Sequence, residues 1–437
     1  MLHKITEKTF RNGLKLVYLN KPQAPIVAVQ VWYKVGSICE SDGIRGISHV
    51  LEHMMFRGSD NYRSEQHAQM INEVGGNCNA FTTEDVTAYI NSVPHDSLDL
   101  VLALEADRMD KLTLDPDLFE TERKVIIEEY HTYLNNPVAK AVLEFREEFF
   151  KGHPYAISPL GTLNDLNSMT VEDLRQYYSN WYSPDNAVLV IVGDFDEDVI
   201  ENKVERIFGD KEQRNIEKRK LEFGDHLYAP ANRMVHKVKF DVPILMIGYP
   251  APPSSHKDAI ALEILQMVAS GGESSRIHKE IVRKESLAVM AGGINNLLKR
   301  AGMSMFFAAF TPDIPAGKIE AALKMQINRI RNEGINAQEM EKVKNTVLTN
   351  HTFELYSVEN ICHRIGFSEC IEGNYSLWVK RLNTLKSIDT GELTEIARNY
   401  WKNESCHVLY LKPEKTNLFL FAAGLFRRFF KKAFGRD

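Results

Sequence analysis

The sequence predicts an α+β fold of two homologous halves, each a mostly antiparallel sheet packed with helices. Apolar runs of strand length, alternating or continuous, are interleaved with longer stretches of helical periodicity. The order of the elements, strands first, then helices, then a return strand, occurs once in each half. With 437 residues, 44% of them hydrophobic, the chain is also long enough to bury two cores.

Each element of the first half is predicted from its periodicity and its flanking turn residues. In chain order we expect strands at LKLVYLN and IVAVQVWYKVG, helices at SHVLEHMMF and SEQHAQMINEVGG, a strand at CNAFTTEDVTAYINSV, helices at DSLDLVLALEADRMDKL, DLFETERKVIIEEYHTYLNN and VEDLRQYYSNWY, and a return strand at AVLVIVGDF. Ser48 directly precedes the first helical run, so we predict it as the N-cap of that helix.

The second half is predicted from the same order of patterns. It begins with the strand-like MVHKVKFDVPILMIGYPAP and ends with SCHVLYLKP, which mirrors the return strand of the first half. A polar, charge-rich stretch with little apolar periodicity precedes it. We therefore predict a first domain at 1–210, a linker at 211–233, a second domain at 234–413 and a tail at 414–437.

Composition narrows the function class and the compartment. The 53 basic and 59 acidic residues leave a net charge of −6, which gives no general electrostatic reason to expect a nucleic-acid partner. The five scattered cysteines lack close C-x-x-C pairs, which favours free thiols in a reducing compartment. The first residues show no apolar core of signal-peptide length. We therefore expect a cytoplasmic protein.

The tail combines an apolar stretch with a basic one. The nine apolar or small residues Leu418 to Phe426 fall short of the ~20 that a spanning helix needs. On a helix, four phenylalanines share one face and the cations lie largely opposite; these are Phe426, Phe429, Phe430 and Phe434, with Arg427, Arg428, Lys431, Lys432 and Arg436. This pattern suits peripheral contact with a membrane surface or a partner groove. The alternative is a terminal helix docked on its own domain.

Chemistry concentrates in the first predicted helix. His49, Glu52 and His53 stand at helical positions i, i+3 and i+4, so they project from one face. Two imidazoles suit zinc, and a glutamate beside them can accept a proton from water. The order H-x-x-E-H inverts the commoner H-E-x-x-H. Core or surface histidines are the alternative, although unpaired polar groups are costly in an apolar helix.

A catalytic zinc site needs a third protein ligand from elsewhere in the chain. Glu122 and Glu129 stand seven residues, or two helical turns, apart in a predicted helix, so both side chains face the same way. Exposed helices are rich in glutamate, and spacing alone leaves both carboxylates open as candidates.

With these motifs the sequence resembles the pitrilysin and mitochondrial-processing-peptidase family of zinc peptidases. The resemblance rests on GISHVLEHMMFRGS, GGNCNAFTTEDVTAY, HPYAISPLGT and YYSNWYSPDNAVLVIVGDFD, and extends from Thr9 to about Pro413. Glu129 stands 76 residues after His53, which is the position of the family's third zinc ligand. Glu122 matches a second family glutamate that supports the site. The resemblance thus implies a zinc ion held by His49, His53 and Glu129, with Glu52 as general base.

The resemblance also implies an architecture and a way of binding substrate. Two units of two halves each enclose a clamshell chamber that admits peptides or unfolded segments. A strand beside the metal presents an edge to which an extended peptide adds by main-chain hydrogen bonds. The residues implied for this edge are Asn79, Ala80 and Phe81. An ordinary sheet strand is the alternative, with Phe81 in the core.

One family feature is missing from the second half. Active members carry there an arginine and a tyrosine that orient the substrate carbonyl. Arg283 matches the arginine, but Val289 stands at the tyrosine position, and valine cannot donate a hydrogen bond. The resemblance therefore implies a heterodimer in which a homologous subunit supplies the arginine and the tyrosine.

Three functions compete at this point. The first is a zinc endopeptidase subunit of the processing-peptidase type. The second is a non-catalytic scaffold of the same fold, as in core subunits of respiratory complexes; degeneration there normally strikes the metal motif, which is intact here. The third is an unrelated zinc hydrolase that shares H-x-x-E-H, against which the spacing to Glu129 and the flanking blocks argue.

Overall fold

The computed structural model describes residues 5–214 and 228–434. The elements of the first half are, in chain order, β1 (Thr6–Thr9), β2 (Lys15–Asn20), β3 (Ile26–Tyr33), α1 (Ile47–Met54), α2 (Gln66–Glu73), β4 (Asn77–Thr82), β5 (Thr87–Pro94), α3 (Leu98–Asp110), α4 (Pro116–Asn135), α5 (Pro137–Phe149), α6 (Leu163–Ser168), α7 (Val171–Trp181), β6 (Ala187–Gly193) and α8 (Glu197–Phe208).

The elements of the second half follow residue 228. They are β7 (Arg233–Val238), β8 (Ile244–Ala251), α9 (Ala259–Ser270), β9 (Met290–Leu297), β10 (Gly302–Ala309), α10 (Ala316–Glu333), α11 (Ala337–Glu354), α12 (Val358–Phe367), α13 (Ser376–Ser387), α14 (Thr390–Tyr400), β11 (His407–Pro413) and α15 (Leu418–Phe434). Most of the predicted linker lies outside the described residues.

The two sheets share one topology, which confirms the predicted repeat. The first has the order β1-β2-β6-β3-β5-β4 and the second β7-β11-β8-β10-β9. Apart from β1, each strand of the first sheet has a counterpart at the same place in the second. In both sheets the return strand pairs in parallel with the first strand of the repeat and antiparallel with its second. The predicted α+β class is therefore correct.

Two local predictions are wrong. The stretch CNAFTTEDVTAYINSV forms a hairpin of β4 and β5 instead of one strand, because Thr83 turns the chain: its hydroxyl oxygen accepts the N–H of Asp85 and of Val86. Ser48 is not the N-cap of α1, since the helix already begins at Ile47. Its hydroxyl instead contacts the Tyr177 hydroxyl at 2.8 Å.

Contacts divide the chain into two compact units that are discontinuous in sequence. The first contains residues 5–132, 157–214 and 350–380, and the second contains residues 133–156, 228–349 and 381–434. Each unit therefore includes a helical segment from the other half of the sequence. The domains predicted with boundaries at 210 and 234 are continuous in sequence and therefore lack this exchange of segments.

The first unit has a core on each face of its sheet. Alternate residues of β3 enter the two cores: Val29 and Val31 pack with α1 and α3, whereas Ala28 and Trp32 pack with α12. The central strand β6 is buried along its whole length, as expected for a strand covered on both faces. The first of these cores supports the helix that carries the H-x-x-E-H motif.

The core of the second unit lies between its sheet and helices α9, α10 and α14. Leu245 and Ile247 of β8 pack there with Leu262 and Leu265 of α9 and with Leu323 of α10. Across the described ranges, no helix combines the length and the apolar character that crossing a bilayer requires.

Candidate metal centre

Helix α1 is anchored at its first turn by a buried carboxylate. Gly46 precedes the helix with a φ of 98°, a left-handed conformation that glycine adopts without strain. The Glu40 carboxylate accepts the N–H of Gly46 at 2.7 Å and of Ser48 at 3.0 Å. Burial raises the pKa of Glu40 to about 7, and these two backbone donors oppose the rise. Capping of this kind stabilises a helix by about 1 kcal/mol.

The amphipathic pattern of α1 turns its polar residues away from the core. Val50, Leu51 and Met54 are buried, whereas Glu52 and His53 are half-buried. His49 and His53 lie one turn apart, with their ring centres separated by 4.9 Å. The helix thus presents two imidazoles side by side, which its sequence predicts.

Glu129 of α4 reaches the same point. Its Oε2 atom lies 3.9 Å from His49 Nε2 and 3.7 Å from His53 Nε2. Two donors bound tetrahedrally to one zinc ion lie about 3.4 Å apart, because each ligand bond is about 2.1 Å long. One ligand atom from each residue lies within 4.8 Å of the others, and among the described residues this is the group that could hold a metal ion. The donor set of two imidazoles and a carboxylate fits zinc.

His49 is suited to bind a cation because it is neutral at neutral pH. Burial, together with the nearby His53, lowers the pKa of His49 to about 4. Imidazole binds metal only in its neutral form. At pH 7 a metal ion can therefore bind His49 without first displacing a proton from a charged imidazolium.

Glu122 orients His53. Its Oε2 atom lies 3.2 Å from His53 Nδ1, and its side chain is almost completely buried. The imidazole N–H that donates to this carboxylate fixes the tautomer and leaves Nε2 free as a ligand. Arg57 approaches the other Glu122 oxygen at 2.6 Å and also pairs with Glu65. The supporting role predicted for Glu122 thus has a geometric basis.

Glu52 projects from the same helix but does not belong to the three-residue group. The Thr82 hydroxyl donates to its Oε2 atom at 2.5 Å. Burial raises the pKa of Glu52, while the Thr82 hydrogen bond and His53 oppose the rise. A raised pKa makes the carboxylate a better proton acceptor.

Strand β4 is the last strand of its sheet, beside this group. It pairs on one side with β5, from Asn77 opposite Ser92 to Thr82 opposite Thr87. No strand in the described part of the chain covers its other edge. An extended peptide can pair with such an edge.

The implied substrate residues lie on this strand. Asn79 is exposed and Ala80 half-buried. The Phe81 ring packs on Trp32, with 5.4 Å between centroids, and on His363 at 5.5 Å. The Phe81 side chain therefore takes the core-packing alternative, while its backbone stays on the edge strand.

Arg283 belongs to the second compact unit, whereas the three residues of the metal group belong to the first. It lies on a π-helical turn at His278–Lys284 and pairs with Glu273. Val289 follows this turn and is 51% exposed. The substrate-binding role of Arg283 stays a prediction.

Sequence reasoning missed three residues that position this site, namely Glu40, Arg57 and Thr82. A signal was available for Thr82, which directly follows the implied substrate residues in the same strand. Arg57 stands four residues after His53, so a helical continuation would have placed it nearby. Glu40 carried no local signal, because its contacts follow from a turn of the chain before α1.

The chain matches two models of one peptidase family and is similar to a named zinc protease. Residues 15–162 match the model described as insulinase (peptidase family M16), and residues 168–347 match the peptidase M16 inactive domain. The zinc protease PqqE of Helicobacter pylori is 26% identical over 419 residues, which are 94% of each chain. The residues of the metal group lie in the first of the two matched ranges.

Solved structures share the fold. A protease from Helicobacter pylori has a TM-score of 0.87 at 25% identity and covers 94% of this chain and 100% of its own. The first half of the periplasmic protease PqqL from Escherichia coli has a TM-score of 0.75 at 18% identity and covers 96% and 93%. Such a likeness at 18% identity concerns the fold alone. The cytoplasmic location stays a prediction.

Proposed function

Because the chain belongs to peptidase family M16, we propose that it is a zinc-dependent endopeptidase subunit that hydrolyses peptides or unfolded segments. The observation that carries the proposal is the convergence of His49, His53 and Glu129, with Glu52 beside them on α1. Relatives are named zinc proteases, which supports the same chemistry.

In this proposal each residue of the metal centre has one task. His49, His53 and Glu129 hold the zinc ion. When bound, zinc supplies Lewis acidity, which polarises a carbonyl and lowers the pKa of water. Glu52 accepts the proton of the attacking water and returns it to the leaving amide nitrogen. Glu122 keeps the His53 ring in its ligand orientation.

The edge strand holds the substrate in the proposal. A peptide that adds to β4 pairs through main-chain groups, so its sequence is only loosely specified. Asn79 and Ala80 lie on this strand, and Thr82 at its end donates to Glu52. Substrate position and base orientation therefore depend on the same short segment.

The scaffold alternative is favoured by one observation, the inactive-domain match over residues 168–347. That range contains Val289, where the family tyrosine is missing, but none of the metal group. The proposal therefore includes a second subunit: a homologous chain supplies the arginine and tyrosine, and this chain supplies the zinc site. A second domain without the family tyrosine is compatible both with a non-catalytic scaffold and with a two-subunit peptidase.

Metal removal tests the proposal. We expect the purified chain, alone or with a homologous partner, to hold zinc and to cleave an unstructured peptide. Treatment with 1,10-phenanthroline should abolish cleavage, and added Zn²⁺ should restore it, because the ion supplies the Lewis acid. Zinc content and cleavage are measured on one sample. If the chain binds zinc but cleaves no peptide, either alone or with the partner, the scaffold alternative is favoured. If the chelator does not change the rate of cleavage, the zinc mechanism is excluded.

A further inference from the structure

Helix α15 (Leu418–Phe434) is attached to the second unit by one side. Asn417 caps it: its Oδ1 atom accepts the N–H of Phe419 at 3.0 Å and of Leu420 at 3.1 Å. The Asn417 amide also donates to Asp241 at 3.2 Å. The start of the helix is thus tied to the loop between β7 and β8.

Close packing fixes the middle of the helix. A Cβ atom on Gly424 would lie 2.2 Å from Asp313 Oδ1 and 2.5 Å from Thr311 Oγ1, so only glycine allows this approach. One turn later, Arg428 pairs with the fully buried Asp313 carboxylate. A buried carboxylate is stable only with such a partner. The orientation of α15 on the second unit is therefore specific.

The opposite side of the helix carries large apolar residues into solvent. Leu418 is 77% exposed, Phe419 80% and Phe426 64%. Phe419 and Phe426 are seven residues apart, so they share a face, and that face lies opposite Gly424 by helical spacing. Ala422 and Ala423 between them are exposed as well. Contiguous apolar surface of this kind marks an interaction site.

The basic residues of α15 indicate that the partner of this face is anionic. The helix contains Arg427, Arg428, Lys431 and Lys432 and no acidic residue, in a chain whose net charge is −6. Arg428 pairs with Asp313, and the side chains of the other three lie outside the described residues, so their contribution is inferred from the sequence. Phenylalanines with flanking cations suit the boundary between lipid headgroups and acyl chains, where anionic lipids attract the cations.

We propose that α15 binds the surface of an anionic phospholipid membrane with the face formed by Leu418, Phe419, Ala422, Ala423 and Phe426. The sequence pattern left a docked terminal helix and a membrane-surface helix as alternatives. The structure combines them, because Gly424 and Arg428 dock one side while the other side stays exposed. The binding is peripheral, and it does not depend on the zinc site.

Vesicle co-sedimentation of the full chain tests the proposal. We expect binding to phosphatidylcholine vesicles that contain phosphatidylglycerol to exceed binding to phosphatidylcholine alone by about tenfold or more, because each nearby cation adds attraction. High salt should weaken binding. The variants Phe419→Ser/Phe426→Ser and Lys431→Glu/Lys432→Glu should both lose it.

The matched control is Phe353→Ser/Tyr356→Ser, which removes two exposed aromatic residues, 66% and 76% exposed, outside α15. This variant should bind like the wild type. Unchanged thermal unfolding of each variant shows that the fold is kept. Equal binding by the wild type and the α15 variants would overturn the proposal. So would a wild-type chain that stays in the supernatant with every vesicle, and the face would then belong to a protein partner.

Discussion

Replacing Glu52 by glutamine is expected to leave zinc bound and to lower peptide hydrolysis by about 10²-fold or more. Glutamine keeps the shape of the side chain and can still contact the Thr82 hydroxyl, but it cannot accept a proton from water. His49, His53 and Glu129 are untouched, so the fold and the metal content should not change. The measurement is kcat on an unstructured peptide, with zinc determined on the same preparation.

Two other glutamates serve as controls for this variant. Glu128→Gln makes the same change at an exposed position of α4, next to the proposed ligand Glu129, and should retain full activity. Glu122→Gln should cause a smaller loss than Glu52→Gln, together with weaker zinc binding of about 10–100-fold, because it disturbs the support of His53. Near-wild-type activity of Glu52→Gln would remove this residue from the mechanism.

A homologous partner chain is expected to raise the activity of this chain by about 10²–10³-fold, the cost of one missing oxyanion donor. A peptide held only by the zinc and the β4 edge lacks a donor to the developing oxyanion. Val289 cannot supply one, and a homodimer would carry Arg283 twice and the tyrosine nowhere. We expect weak hydrolysis by the isolated chain and a large gain on mixing.

The partner to use is a homologous chain that retains the arginine and tyrosine and may lack H-x-x-E-H. The same partner with its tyrosine changed to phenylalanine is the control, and the gain should then be largely lost. Full turnover by the purified chain alone, with no benefit from Val289→Tyr, would contradict the two-subunit proposal. A nearby side chain would then replace the tyrosine.

The repeated architecture could be predicted because it is encoded by local periodicity. Strand and helix patterns recur in the same order, and the two sheets share their topology. The exchange of helical segments could not be predicted, because it depends on contacts distant in sequence. Cys362 of α12, for example, lies under the first sheet, with its Sγ atom 3.4 Å from the Val190 carbonyl oxygen.

The local errors have a physical cause as well. The turn between β4 and β5 contains neither glycine nor proline, and the Thr83 side chain makes it instead. Ser48 is a residue type that commonly caps helices, but here the Glu40 carboxylate accepts the backbone N–H groups at the start of α1. Local propensity limits the conformations and caps that a residue favours, and tertiary contacts determine which of them the folded chain adopts.

The site shows the same division between local and distant information. His49, Glu52 and His53 follow from helical spacing alone, because they lie within five residues. Glu129 required the family spacing, since exposed glutamates are common on helices. Thr82 and Arg57 stand near predicted site residues in the sequence, but their roles follow from contacts that the sequence does not specify, at 2.5 Å to Glu52 and 2.6 Å to Glu122.

The zinc content of histidine variants tests the central claim, that His49, His53 and Glu129 form one zinc site. We expect one zinc ion per wild-type chain and a sharp loss in His49→Ala and in His53→Ala, because two remaining ligands do not hold a structural or catalytic zinc. His131→Ala, an exposed histidine on the same helix as Glu129, is the matched control and should keep its zinc. Stoichiometric zinc in the His49 or His53 variant, with unchanged folding, would contradict the claim.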